Sequence, residues 1–190
     1  TVAIALFTSP GWLDGYWTDA RAANTGSRRS VAAATVLGPL TLATTVLIYF
    51  QILVGAAMRH LDAGLAIPDF PLAFGGLIPD HWDTKIAVHF AHRIGALIVT
   101  TAVAATVLHI WWHHRGNKAL TRPALLIAGL VVLQITLGAS TVLSRLNVAI
   151  NSAHVVCGAL VLTTSLVITL RSWRIAFDQA PPPAGAEIAA

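Results

Sequence analysis

Charge is scarce in this chain. Only 11% of its 190 residues are charged while 56% are hydrophobic, where a soluble domain carries roughly 25% charged residues. So little polar surface excludes a freely soluble globular domain, and the deficit falls in long runs, as it does in segments that cross a bilayer. Cysteine is almost missing. Cys157 stands alone, which excludes an intrachain disulfide, a CxxC redox pair and a cysteine zinc cluster; inside an apolar run it reads as a small buried hydrophobe. The apolar runs contain no Asp or Glu at all, so a carboxylate-based proton relay has no members there. The 12 Lys and Arg against 8 Asp and Glu leave a net charge of +4. These basic residues form no stripe and sit at the ends of the runs, which speaks for membrane topology and against nucleic acid.

Four runs are long enough to span a hydrocarbon core of about 30 Å, which takes about 20 residues: 31–58, 86–112, 123–143 and 148–170. The expected fold class is an all-α integral membrane protein, a four-transmembrane-helix bundle over residues 31–172. Arg28 and Arg29 precede the first span, Lys85 opens the second, Pro123 starts the third in the first-turn position that tolerates proline, and Arg171 and Arg174 close the fourth. Residues 1–30 read as the end of a preceding helix (Thr1–Phe7, apolar but too short to span and with no basic segment before it) followed by a cytoplasmic linker. Residues 173–190, with Pro181-Pro182-Pro183, read as a disordered tail. Eight of the twelve basic residues (Arg21, Arg28, Arg29, Arg115, Lys118, Arg122, Arg171, Arg174) fall on one side, so both termini are expected to be cytoplasmic. Residues 59–85 then lie outside. Their mixture of aromatic, Gly and Pro residues with little charge is too apolar for a free linker, and is expected to fold over the outer mouth as a cap.

The spans repeat. Gln51-Ile-Leu-Val-Gly55-Ala56 matches Gln134-Ile-Thr-Leu-Gly138-Ala139, and Ala91-His92 with Gly95-Ala96-Leu97 and Thr100-Thr101 matches Ala153-His154 with Gly158-Ala159-Leu160 and Thr163-Thr164. The bundle is therefore expected to consist of two parallel two-helix repeats, related by an axis along the membrane normal. Each contributes an intramembrane Gln and then a His.

His92 lies seven positions past Lys85 and His154 seven past Asn147, which sets both imidazoles about 10 Å deep at 1.5 Å per residue. Ionisable residues at such depth are rare and usually functional. Zinc wants three or four ligands, and no Cys, Asp or Glu is near. A haem needs only one or two axial imidazoles and an apolar slot. Gly95, three residues after His92, and Gly158, four after His154, fall on the faces of their histidines, where a missing side chain admits a flat macrocycle or a close helix. Arg93, Arg59 and Lys85 lie toward the outer face, placed either to pair with haem propionates or to anchor at the interface. His89 precedes His92 by one turn and lines a haem edge, a substrate path or interfacial water. His109, His113 and His114, beside Trp111 and Trp112, read as interfacial belt and solvated loop. His60 and His81 sit in the outer loop without site-like spacing. Gln51 and Gln134 hydrogen-bond between helices or touch a bound macrocycle.

Between about Gln51 and Leu170 the chain resembles the haem A synthase family. The likeness rests on Ala63-Gly64-Leu65 followed by Pro68-Asp69-Phe70-Pro71-Leu72, on His92-Arg93, on Gln134 to Gly138 and on His154. It implies an eight-helix protein of two four-helix halves, each with a histidine pair, that oxidises the C8 methyl of haem O to the formyl of haem A. It further implies that His92 and His154 are the axial ligands of one half. The apolar Thr1–Phe7 and the Gly11-Trp12 linker favour the C-terminal half, which in the family resembles a holder of b-type haem. Two departures fit a cofactor-holding half. Ile67 and Ala73 stand where many members carry a loop cysteine pair, and His89 stands where the substrate half often has Glu.

The expectation is thus a bacterial inner-membrane, haem-binding half of a haem A synthase-like oxidoreductase, with haem b on His92 and His154 and haem O as substrate. Its expected partners are the N-terminal four-helix half or a second copy, with haem O synthase and a cytochrome oxidase subunit as further candidates. A four-helix membrane cytochrome b for electron transfer and a non-enzymatic haem-carrying assembly factor are the alternatives.

Overall fold

The computed structural model describes residues 28–178, with side chains from 35 to 174. The expected helix end at 1–7, most of the linker and the tail beyond Asp178 lie outside the described residues. Four helices follow in order: α1 (Arg28–His60), α2 (Thr84–His114), α3 (Lys118–Leu143) and α4 (Val148–Asp178). All four are long and apolar enough to cross a membrane, and among the described residues there is no strand. The described residues form a four-helix bundle of a multi-pass membrane protein.

Helix starts are set by side chains that satisfy the orphan N–H groups of the first turn. Asp83 accepts from Ile86 N at 2.8 Å, Asn117 from Ala119 N at 3.0 Å, and Asn147 from Ala149 N and Ile150 N at 3.1 and 3.3 Å. The Asn117 cap starts α3 at Lys118, so Pro123 sits inside the helix and not in its first turn as the sequence suggested. A proline there leaves the carbonyl four residues back without its N–H donor. Ala119 O is that carbonyl, and Arg171 Nη1 of α4 donates to it at 2.7 Å.

Each helix packs on two neighbours, α1 on α2, α2 on α3, α3 on α4 and α4 on α1, while the diagonal pairs make no backbone approach. The bundle is thus a ring of four. Its core over α2–α4, joined by Leu37 and Ile48 of α1, is built from Val103, Ile110, Leu120, Ile127 and Ile168 among others. A seam of hydroxyls crosses the same interior: Thr41 to Ser172 (2.9 Å), Thr44 to Thr106 (2.9 Å), and Thr45 to both Ser165 (2.7 Å) and Thr169 (2.9 Å). Interhelical hydroxyl contacts of this kind add to association where no hydrophobic drive acts between helices in lipid.

The loop between α1 and α2 is compact. Asp69 accepts from Phe74 N and Gly75 N, both at 2.9 Å, closing a turn in which Phe74 and Gly75 have φ of 55° and 82°. These two N–H groups, Gly75 first, hold the Asp69 carboxyl below its ordinary value of 3.8. Gly64 rests on Leu146 of the α3–α4 turn, whose Cδ2 lies 3.1 Å from where a Cβ would stand. The loop therefore meets the α3–α4 turn at the same end of the ring.

Candidate cofactor site

The site is assembled from two helix pairs by one recurring contact pattern. On α1 and α2, Gln51 Nε2 donates to His92 Nδ1 at 3.1 Å and to the His92 main-chain oxygen at 2.7 Å. On α3 and α4, Gln134 Nε2 lies 3.3 Å from His154 Nε2, and His154 Nδ1 donates to the Gln134 main-chain oxygen at 3.2 Å. Glycine makes room for each ring. A Cβ on Gly55 would stand 3.0 Å from His92 Cε1, and one on Gly138 would stand 3.1 Å from His154 Cε1. His92 is the ninth residue of α2 and His154 the seventh of α4, so their depths are roughly 12 and 9 Å below the helix starts.

α2 and α4 are diagonal members of the ring, with no backbone approach between them. Both rings are half-buried. Each imidazole turns its Nδ1–Cε1–Nε2 edge toward the glycine of the adjacent helix, His92 toward Gly55 of α1 and His154 toward Gly138 of α3.

The remaining residues singled out by the sequence fall elsewhere. Gly95 and Gly158 do not border an open slot: a Cβ at Gly95 would collide with Gln51 Oε1, and one at Gly158 would stand 3.3 Å from Gln134 Nε2. Their missing side chains seat the glutamines. Arg93 faces the α1–α2 loop, donating to Leu72 O (2.7 Å), Ile67 O (3.1 Å) and Asp69 O (2.6 Å), with its guanidinium 5.7 Å above the Phe70 ring. His89 is 2% exposed, and its Nδ1 lies 3.0 Å from Ala63 O and 3.3 Å from Ile67 N. Arg93 and His89 thus tie the α1–α2 loop down over that end of the bundle. Arg59 and Lys85 are exposed. At the other end His109 and His113 stack at 4.5 Å, while His114 is 6% exposed and buried, not in a solvated loop. The end of α2 packs against neighbours further than its polarity suggests.

The chain matches the model of the COX15-CtaA family, described as cytochrome oxidase assembly proteins, over residues 2–166. It belongs to that family. The protein named "Heme A synthase" from Geobacillus kaustophilus is 32% identical over 145 residues, covering 74% of this chain and 45% of the relative. The "Heme A synthase" of Staphylococcus aureus strain Newman is also 32% identical, over 115 residues, covering 60% of this chain and 37% of that protein. The chain spans less than half the length of these relatives.

Within this COX15-CtaA chain, the ring-facing glycines Gly55 and Gly138 are the residues that sequence reasoning left without a role. The signal was present as the shared Gln-x-x-x-Gly spacing. One turn of helix separates the two residues, so a glutamine and the glycine beside it together cup an imidazole from the next helix.

Proposed function

We propose that this chain is the haem-binding part of a haem A synthase-like membrane enzyme, with His92 and His154 as the two axial ligands of one b-type haem. The observation that carries the reading is the doubled Gln–His–Gly set, one on the α1–α2 pair and one on the α3–α4 pair. The donor set fits the group. Among the described residues no cluster of three or more His, Cys, Asp or Glu is placed to hold a bare metal ion, whereas a haem iron brings four equatorial nitrogens and asks the protein for one or two imidazoles. Gly55 and Gly138 keep the ring edges clear of side chains, and Gln134 Oε1 is buried without a partner, leaving a polar atom for a bound group to engage.

When bound, the haem supplies the one-electron iron chemistry that these side chains lack. The chain's own residues hold the two imidazoles, keep their surroundings apolar, and close the outer end through Arg93 and His89. By the family likeness, the whole enzyme oxidises the C8 methyl of haem O to the formyl of haem A. Substrate oxidation then calls for a companion four-helix half or a second copy, because the matched His92–His154 pair is used by the resident haem. A haem O synthase supplies the substrate and a cytochrome oxidase subunit receives the product.

The two-helix units act as repeats about an axis along the membrane normal, in a bacterial inner membrane, with the chain ends cytoplasmic and residues 61–83 outside. The bias of Lys and Arg toward the opposite side supports this orientation, and the bacterial relatives support the location.

A reduced-minus-oxidised visible spectrum of the purified chain, beside His92→Ala and His154→Ala, tests the reading. A sharp low-spin b-type spectrum that each substitution abolishes or turns high-spin is expected. A folded, haem-replete wild type without haem overturns it.

A further inference from the structure

The two histidines match in position but not in the atoms that hold them. His154 Nδ1 faces the Gln134 main-chain oxygen. A carbonyl only accepts, so Nδ1 carries the proton and Nε2 is left as an acceptor, engaged only by the long 3.3 Å contact from Gln134 Nε2. Metal-bound histidines are oriented in this way, with the distal N–H given to a carbonyl or carboxylate. His92 Nδ1 instead faces Gln51 Nε2, an amide nitrogen that only donates. His92 Nδ1 is therefore the acceptor, and its proton sits on Nε2.

The Gln51 amide cannot simply turn over. Its nitrogen also donates to the His92 main-chain oxygen at 2.7 Å, so a reversed amide would set oxygen against oxygen there. Its own oxygen is seated on bare Gly95. Gln134 is held far less firmly. Its contact to His154 Nε2 is 3.3 Å long, and its Oε1 has no partner.

We propose that Gln51 is a positioning residue that locks His92 in the tautomer opposite to that of His154, so that the pair offers one ready ligand and one that must first move its proton. This rests on the haem-ligand reading above.

Two measurements on the full chain test it. In the first, the haem-free chain is labelled with 15N-histidine, and the two sets of ring resonances are assigned by their loss in His92→Ala and His154→Ala. The Nδ1–H form is expected for His154 and the Nε2–H form for His92. The same tautomer at both sites overturns the proposal.

The second adds haemin and follows the growth of the low-spin band in wild type, Gln51→Leu and Gln134→Leu. Removing one opposing hydrogen bond is worth roughly a fivefold change in rate. Gln51→Leu should therefore speed the low-spin band about fivefold, and clearly more than Gln134→Leu, which leaves the main-chain acceptor of His154 in place. Equal effects would mean that the glutamines only fill space beside Gly95 and Gly158, and would overturn the proposal. A wild type that takes up no haem overturns the ligand reading instead, and the resonances still decide the tautomers.

Discussion

At the scale of single residues, the site depends on atoms that are not there. Gly55→Ala adds one methyl 3.0 Å from His92 Cε1, yet an interior Gly→Ala change favours a helix by about 0.5–1 kcal/mol. The two effects separate: thermal stability of the haem-free chain should hold or rise, while haem affinity falls about tenfold, as for other substitutions behind a metal ligand. Gly129, with nothing within 4 Å of its Cβ position, is the control, and Gly129→Ala should change stability alone. Outside the membrane, Asp69 sets an acid limit. Its carboxyl is held below 3.8 by Gly75 N–H and Phe74 N–H, so its contribution to the folded loop is complete above that value and is lost as pH falls through the lower folded one. The protection of the Phe74 and Gly75 amides against hydrogen exchange, taken relative to the intrinsic rate at each pH, should hold at pH 5 and fall only in stronger acid; Asp69→Asn should abolish that acid step. At this scale the sequence was partly legible. Spacing along one helix located His92, His154, Gln51 and Gln134, because partners three or four residues apart share a face. It assigned Gly95 and Gly158 to an open slot because periodicity reports the face and not its occupant, and the occupants are glutamines from the neighbouring helices.

At the scale of elements, α3 and α4 are coupled through a defect. Pro123 deprives Ala119 O of its donor and Arg171 replaces it. Arg171→Met strands that carbonyl, a loss of 1–3 kcal/mol in general. Arg171 Nε is itself buried without a partner, which brings the expected net cost down to about 1 kcal/mol. In a Pro123→Ala background the restored N–H at position 123 serves Ala119 O, so the same substitution should cost measurably less; unfolding of the four variants in a denaturing detergent reads the difference. The apolar runs predicted four helices because length alone separates spanning helices from core segments. The start of α3 was misjudged, since the turn from Lys118 to Arg122 buries Leu120 between exposed Lys118 and Arg122 and so breaks the apolar run. The hydroxyl seam went unread for a related reason. Thr44, Thr45 and Thr169 each also reach a carbonyl one turn back on their own helix, so their presence in a run does not say whether they meet a neighbour.

At the scale of the whole molecule, the ring of four fixes a centre that no backbone enters. Apolar side chains cover its outside, as expected for a surface facing lipid. Its orientation can be read with thiols, because Cys157 is buried and contributes little background labelling. Leu77→Cys, at a position 83% exposed in the loop, should react with an impermeant maleimide on intact cells. Gly116→Cys, in the open turn between α2 and α3, should react only after permeabilisation; the reverse pattern would invert the topology. The loop's closeness to the bundle was legible from its apolar composition. The residues that tie it down were not, because an arginine beside a candidate ligand reads equally well as a partner for an anion. That neighbouring placement has a mechanical consequence. Arg93 grips three loop carbonyls, and from the next position on the same helix His92 meets Gln51 and Gly55 of α1. The loop and the imidazole are therefore anchored to adjacent residues of one helix, so that turning α2 about its own axis would shift both together.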